Sequence, residues 1–315
     1  MRARIGSTPA QQAADPVGSA QRDYAGTRRE ISGSYTKAFP SMHLTHDIWP
    51  NFKARLSWSN SFGRPPLGNL LPNETVSEAA QTLTINNPGL KPQTAESWDA
   101  ALEYYFEPVG SLSASWFHKT IRDYFVNGVI SGTVGSGADN GYNGEYSGFT
   151  ILTRDNLGTA IVQGWELSYQ QQFTFLPGVL KGLGLSANTT ILTTHGNFGG
   201  SAVRRSGEVP GFVPRTSNLS VSWRYRKLGT RLNLNRTGES LNAFTAAGSG
   251  RNQYTRERTI VNLGAAYQFR PALSFSVDVG NLFNQPQVFY RGVADNVSEV
   301  RIPGVTVTFG VSGRF

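Results

Sequence analysis

Residues 305–315 have the sequence VTVTFGVSGRF, and this stretch decides the fold. Apolar side chains stand at odd positions, and small or polar side chains stand at most even positions: Val305, Val307, Phe309, Val311 and Phe315 alternate with Thr306, Thr308, Gly310, Ser312 and Arg314. A period of two places one set on each face of a β-strand. We therefore predict a strand with one apolar face and one polar face.

The same alternation recurs along the preceding sequence. It is clear in residues 273–279, 261–269 and 219–225, and it continues back through 183–187, 165–175, 98–106 and 52–58 to a fainter case at 42–48. Counting these segments and the ones between them gives about eleven strands. Each is near the length that a tilted strand needs to cross a bilayer.

The connections between these strands alternate in length. Short ones fall at 49–51, 107–110, 177–181, 227–229 and 270–271. Long polar ones fall at 63–93, 127–159, 196–211, 242–253 and 284–300, and we expect an extra hairpin arm at 141–155. Short turns at one end and long loops at the other are typical of an antiparallel transmembrane β-barrel. Eleven strands are half of the ~22 strands of the largest plugged barrels, so we predict half of such a barrel.

The composition supports an all-β fold and excludes several classes of protein. The 35 glycines and 36 aromatic residues suit many strands and turns, and no apolar run reaches the roughly 18 residues of a transmembrane helix. The chain has no cysteine, which excludes a disulfide scaffold and a thiol nucleophile. The net charge of +8 is scattered among acidic residues, so we expect no nucleic-acid partner.

Aromatic residues cluster beside the short connections. They are Phe52, Tyr104, Phe106, Phe173, Phe175, Tyr225, Tyr267, Phe269 and Phe315. Aromatic rings at the ends of spanning strands favour the headgroup level of a membrane. We therefore predict one aromatic girdle at this edge, with Val305, Val307, Phe309 and Val311 facing lipid.

Several short motifs carry a family resemblance. They are NPGLKPQT at 87–94 with LEYYF at 102–106, GWELSY at 164–169, LPGVLKGLG at 176–184 and GNLFN at 280–284. In this order and spacing they resemble the barrel of TonB-dependent receptors, although Gln93 stands where the family usually has Glu. The resemblance extends from about residue 37 to the end, where Phe315 resembles the terminal aromatic residue of outer-membrane proteins.

The resemblance implies a C-terminal barrel region at 37–315, preceded by a polar segment at 1–36 that we expect to be an extracellular loop remnant or disordered. It implies a bacterial outer-membrane location and uptake of siderophores, cobalamin or glycans. The implied partners are outer-membrane lipid, a plug domain and first barrel half, the barrel assembly machinery acting through Phe315, and TonB acting through the plug. We find no plug, TonB box or secretory leader, so we expect a fragment that cannot close alone.

No residues form a convincing catalytic, cofactor or metal site. His43 and His46 are three positions apart and point to opposite faces of a strand, and His118 and His195 are isolated. Gly135-Ser136-Gly137 and Gly248-Ser249-Gly250 lack the spacing of catalytic or phosphate-binding loops. The sequon at Asn188 lies in a strand, and we expect Asp278 and Glu166 to be solvated lumen residues.

Three other functions remain open at this point. The first is a self-sufficient porin-like or autotransporter-type barrel of 10–12 strands. The second is an outer-membrane hydrolase, and the third is a soluble β-rich module that binds glycans. Because no set of carboxylate, serine and histidine residues stands out, we expect a non-enzyme.

Overall fold

The computed structural model describes residues 7, 9–22, 36–71, 73–107, 109–156, 158–197, 208–243 and 252–313. The chain divides into two compact units. Unit 1 comprises Met1–Ala38, Phe62–Gln93 and Asp123–Leu157, and unit 2 comprises Phe39–Ser61, Thr94–Arg122 and Gly158–Phe315. Each unit is described separately below.

Strands dominate both units. In chain order they are β1 Ser41–Trp49, β2 Phe52–Gly63, β3 Glu74–Ser77, β4 Thr82–Ile85, β5 Gln93–Phe106, β6 Gly110–Arg122, β7 Phe125–Thr133, β8 Thr150–Asn156, β9 Thr159–Gln172, β10 Leu183–Asn197, β11 Arg215–Tyr225, β12 Leu228–Thr237, β13 Ser240–Ala243, β14 Gln253–Thr255, β15 Arg258–Arg270, β16 Leu273–Gly280, β17 Gln287–Arg291, β18 Val297–Arg301 and β19 Thr306–Gly313. Helices are short: α1 Pro9–Ala14, α2 Pro16–Ala20, α3 Leu67–Leu70 and a 3-10 turn at Gly178–Gly182. Among the described residues, no helix has both the length and the apolar character to cross a membrane.

Unit 2 contains a sheet of eleven strands, as predicted. Its order is β1-β2-β5-β6-β9-β10-β11-β12-β15-β16-β19, so each strand lies beside the next spanning segment of the sequence. Every recorded pairing between its strands is antiparallel. Strands of 8 to 15 residues make up this sheet, called the main sheet below.

The strand register places residues of like character on the same face of the main sheet. Leu219 lies opposite Leu234, which lies opposite Val261 on the next strand. At the β19 edge of the sheet, Val277 lies opposite Phe309. We call this side the apolar face and the opposite side the polar face. A slip of one residue would exchange the two faces, so the alternation in the sequence fixes the register.

The short connections lie where the sequence placed them, with one difference. Strand β9 ends at Gln172, so Phe173 and Phe175 lie in the connection to β10 rather than in the strand. There the amide of Leu176 donates to the carbonyl oxygen of Phe173, and the 3-10 turn follows Pro177. The turn closed between Phe173 and Leu176 takes the chain out of the extended strand, which explains the earlier end.

The long connections contain sheets of their own, which the sequence pattern did not predict. Unit 1 has the order β3-β4-β8-β7, with β4 and β8 parallel, and unit 2 has a second sheet of order β13-β14-β17-β18. The extra arm expected at 141–155 was wrong in its extent. Residues 141–149 form turns, and the extended backbone begins only at Thr150. The strand that starts there, β8, pairs with β7.

These small sheets enclose apolar cores. In unit 1, Leu83, Ile85 and Val134 are buried and pack against partly buried Tyr146 and Phe149. In the second sheet of unit 2, Leu241 and Tyr290 are buried. The helices α1 and α2 lie in the segment assigned to 1–36, where Asp15 caps α2 by accepting from the amide of Gly18. The assignment of that segment remains a prediction.

Candidate functional site

The apolar face of the main sheet is exposed over most of its width. Leu112 has 48% of its surface exposed, Leu167 43%, Leu263 41% and Phe309 80%. Scattered apolar residues are normal on a soluble surface, whereas a contiguous apolar face marks a surface that contacts an apolar partner. This face can therefore contact hydrocarbon along whole strands.

An aromatic band follows the short-connection edge of the main sheet. The rings of Trp49 and Phe52 stack at 5.5 Å, and Phe52 meets Tyr104 edge-on at 6.3 Å. Tyr104 continues to Phe106, which stacks on Tyr169 at 6.1 Å. Further ring pairs at this edge are Phe173–Phe175, Trp223–Tyr225 and Phe269–Phe275. The predicted girdle residues lie in or near this band, except Phe315, which lies outside the described residues.

The polar face carries an ion-pair cluster across β1, β2 and β5. Arg55 donates two hydrogen bonds to the Glu103 carboxylate, at 2.8 and 3.3 Å, and the hydroxyl of Tyr105 donates to the same group at 2.8 Å. Beside it, Lys53 pairs with Asp47 at 3.3 Å. A bidentate guanidinium–carboxylate pair fixes both side chains in one geometry. The result is a rigid charged patch facing away from the apolar side.

Amides and hydroxyls occupy the polar face further along the sheet. The side chain of Asn218 donates to Asn188 at 2.9 Å, and Asn233 lies opposite Asn262. Glu166 and Asp278 also lie on this face, but four strands separate β9 from β16. The two carboxylates are therefore not brought together as a catalytic pair would need.

The histidines are placed as isolated residues. His43 and His46 point to opposite faces of β1, as expected, since they lie opposite Ser57 and Ala54. The His118 ring bonds to Gln163 at 2.9 Å and stacks on Trp116. Among the residues that the structure describes, no group of three or more potential ligands could hold a metal.

Of the other positions singled out by the sequence, Asn188 lies within β10. Gly135-Ser136-Gly137 lies in the turns after β7, where the side-chain amide of Asn140 donates to the carbonyl oxygen of Gly135. Residues 248–250 lie outside the described residues. His195 lies opposite Ile161 near the end of β10. None of these residues assembles a site.

Residues of the second sheet in unit 2 form a compact polar and aromatic cluster. Tyr254 and Tyr290 stack at 5.3 Å with their planes 12° apart, and Asn252 beside them is 1% exposed. Burial, followed by a hydrogen bond with Glu239, raises the pKa of Tyr290, which therefore remains neutral. Burial also raises the pKa of Tyr254.

The first asparagine of the GNLFN motif has a structural role that sequence reasoning missed. The side chain of Asn281 accepts from the amide of Gln285 at 2.8 Å and donates to the carbonyl oxygens of Gln285 and Gly304. Its own amide donates to Asn262 at 2.9 Å. Asn281 has φ of +52°, which Asn tolerates better than most residues. An asparagine directly after a predicted strand was the sequence signal that could have indicated this role.

The main sheet thus has eleven strands, one apolar face, one polar face and an aromatic edge. A family model described as "TonB dependent receptor-like, beta-barrel" matches residues 14–282, which is most of the chain. The chain therefore belongs to the TonB-dependent receptor family, as the motifs predicted.

Individual relatives support the assignment of the chain to this family. The ferric enterobactin receptor of Pseudomonas aeruginosa is 23% identical over 291 residues, covering 87% of this chain and 36% of the relative. A mutant of that receptor has a solved structure with a TM-score of 0.64, 19% identity, and coverage of 88% of this chain and 40% of that one. The FrpB iron transporter from Neisseria meningitidis gives a TM-score of 0.57 at 16% identity, covering 88% and 39%. The chain thus spans about two fifths of the length of these relatives.

Proposed function

We propose that this chain forms the C-terminal part of the barrel wall of an outer-membrane TonB-dependent transporter. The observation that carries the proposal is the separation of apolar and polar side chains by one register across eleven antiparallel strands. In the bilayer, the apolar face meets lipid and the polar face lines the lumen. The ladder satisfies backbone groups within the sheet, which hydrocarbon requires.

The proposal includes a half-barrel. Eleven strands are half of ~22, and the chain spans 36–40% of the relatives' length, which leaves room for a plug and further strands. Nine of the ten neighbouring strand pairs have antiparallel registers. In the tenth pair, β2 and β5, Arg55 contacts Glu103 and Trp58 contacts Glu96, so these strands also run in opposite directions. After ten such steps, β1 and β19 run in the same direction. Among the described residues no pairing joins these two strands, so closure by this chain alone would require a parallel seam. Further strands beside β1 avoid that requirement.

The proposed activity is uptake of a scarce nutrient of the siderophore, cobalamin or glycan class. Relatives named as ferric enterobactin and iron transporters support the metal-complex part of this range. In the proposed transporter, the energy-coupling protein TonB acts on a plug domain inside the barrel. The cluster around Glu103 and the amides around Asn218 then line the lumen, and the chain itself performs no covalent chemistry.

Cysteine accessibility tests the assignment of the faces, because the chain has no native cysteine. Val277→Cys lies on the apolar face and its neighbour Ser276→Cys on the polar face. In vesicles, we expect a probe at residue 277 to be quenched by brominated acyl chains and protected from a water-soluble maleimide. The probe at residue 276 should show the opposite behaviour. Equal behaviour at both positions would contradict the proposal.

Two further measurements test the half-barrel and the assembly signal. The purified chain should lack heat-modifiable migration as a monomeric barrel and should show no steady ion conductance in planar bilayers. A stable conducting monomer would instead support the self-sufficient porin-like barrel. Deleting Phe315 should slow insertion by the assembly machinery while leaving the stability of inserted protein nearly unchanged, and normal insertion would refute the signal.

A further inference from the structure

The apolar face is interrupted by a depression of about 420 Å³ in the middle of the main sheet. Small side chains form its floor, namely Ala187 and Thr189 on β10 and Ser217 on β11. Two neighbouring rows of paired residues run across the strands at this place. Thr189 lies opposite Ser217, and Ala187 lies opposite Leu219 one row nearer the short-connection edge.

Both hydroxyl groups in the floor are hydrogen-bonded. The hydroxyls of Thr189 and Ser217 bond to each other at 2.8 Å, and Thr189 also donates to the carbonyl oxygen of Thr216 at 3.1 Å. Polar atoms that are already paired can be covered by an apolar group at little cost. The floor therefore suits an acyl chain, although it is built partly from polar residues.

Larger apolar side chains flank the floor. Leu167 lies opposite Thr189 at one end of the row, and Leu219 and Leu234 lie along the row nearer the short connections. In the row nearer the long connections, Trp165 lies opposite Ile191. Leu167, Leu219, Trp165 and Ile191 are 36–55% exposed, and Leu234 is partly exposed. These side chains therefore stand above the floor as walls of a groove.

The groove ends at two arginines on the apolar face. Arg236 lies opposite Ser217 in the floor row and also lines the depression. Arg215 belongs to the next row, where it lies opposite Ile191. Diagonal neighbours on adjacent strands have backbones about 7–8 Å apart, so both guanidinium groups can reach one anion. Both stand at the long-connection ends of β11 and β12.

Glu257 partly neutralises this end of the groove. Its carboxylate accepts from Arg236 at 2.9 Å, and both side chains are largely exposed. Glu257 pairs with Arg236, and among the described residues no ion pair involves Arg215, so the two arginines carry more charge than this carboxylate neutralises. A guanidinium has five N–H donors, and the single recorded bond to Glu257 leaves others available to a phosphate.

We propose that this groove binds a phosphate-bearing acyl lipid of the outer leaflet. One acyl chain lies on the floor of Ala187, Thr189 and Ser217, and its phosphate lies between Arg215 and Arg236. The inference rests on the proposed function, because that function places the apolar face in lipid and the long connections on the outer side. Strands β10 to β12 already have partners on both edges, so a peptide strand cannot add to them.

Titration of the full chain in detergent with bisphosphorylated lipid A, followed by native mass spectrometry, tests the site. Dephosphorylated lipid A and phosphatidylcholine are the comparison probes. We expect one lipid A per chain at low concentration, and at least about tenfold weaker binding for Arg215→Gln/Arg236→Gln, because each loses a charge-assisted contact. Ser217→Leu fills the floor without changing charge and should weaken binding as well.

Arg231→Gln is the matched control, since it removes one arginine from the polar face of the same strand β12. It should leave lipid A binding unchanged. Equal losses for this control and the groove variants would overturn the site, as would equal binding of dephosphorylated lipid A or phosphatidylcholine. If the probes at residues 276 and 277 instead behave alike in vesicles, the proposed function fails, and this inference fails with it.

Discussion

The main sheet and the small sheets of the long connections differ in what stabilises them. In the small sheets, Leu83 is 0% exposed and Tyr290 is 4% exposed. In the main sheet, by contrast, Phe309 is 80% exposed and Val311 is 70% exposed. Burial within the protein therefore supports the small sheets, whereas the main sheet leaves its apolar side uncovered by the protein itself. The proposed function places lipid against this uncovered side.

The largest expected effect is at a buried core position in unit 1. Leu83→Ala should lower the free energy of unfolding of the sheet β3-β4-β8-β7 by about 2–5 kcal/mol, because it removes a buried side chain and leaves a cavity. Hydrogen exchange of that sheet, in detergent and in vesicles, measures the loss. Leu67→Ala, at a position 79% exposed, is the control. A loss that depended on lipid would contradict the comparison.

A charge on the apolar face of β19 gives the complementary effect. Val307 and Thr308 are both exposed, but they lie on opposite faces. Val307→Arg should destabilise the chain in vesicles by about 2–4 kcal/mol near the bilayer midplane, and Thr308→Arg should be tolerated. Urea titration of reconstituted protein compares the two. Similar losses for both variants would show that lipid does not distinguish the faces.

Much of the main sheet could be predicted from the sequence. Apolar and polar residues alternate in every strand of the main sheet, and the apolar residues of all strands must lie on one face. The alternation and the lengths of the connections therefore determine the register. This explains why the eleven strands and the approximate positions of β1 and β19 agree with the sequence. The early end of β9 depended on the local turn between Phe173 and Leu176, which alternation alone does not detect.

The small sheets could not be predicted in the same way. Strands such as β13 and β14 have 4 and 3 residues, too few for a period to be recognised. Their pairing is non-local, since β14 pairs with β17 across the whole β15–β16 hairpin. The groove was also hidden, because it depends on Thr189, Ser217 and Arg236 lying in one row on three strands.

A smaller effect is expected where the two regions join within unit 2. Asn281→Ala should cost about 1–3 kcal/mol, because partly buried main-chain groups of Gln285 and Gly304 lose their partner. Asn281→Gly relieves the backbone strain at positive φ but also removes the side-chain hydrogen bonds. We therefore expect it to lose most of the stability that Asn281→Ala loses. Phe283→Ala, at an exposed position in the same motif, should change stability by less than about 0.5 kcal/mol. Hydrogen exchange of β17 and β18 measures all three.

The smallest effect is expected for Tyr290→Phe, and its loss of stability relative to wild type at pH 7 should shrink as the pH rises above about 10. Burial raises the pKa of Tyr290 above its ordinary value of 10.0, so the folded state holds the proton more tightly than the unfolded chain. The stabilisation by the neutral phenol is therefore fully present below about pH 10 and declines as the pH rises towards the raised pKa. Tyr290→Phe should lose about 1 kcal/mol at pH 7 with the hydrogen bond to Glu239, yet show a flatter decline above pH 10. Hydrogen exchange or proteolysis of the sheet β13-β14-β17-β18 across this range measures the slope, with exposed Tyr267→Phe as the control. An unchanged slope in Tyr290→Phe would show that Tyr290 is not held neutral by the small sheet's core.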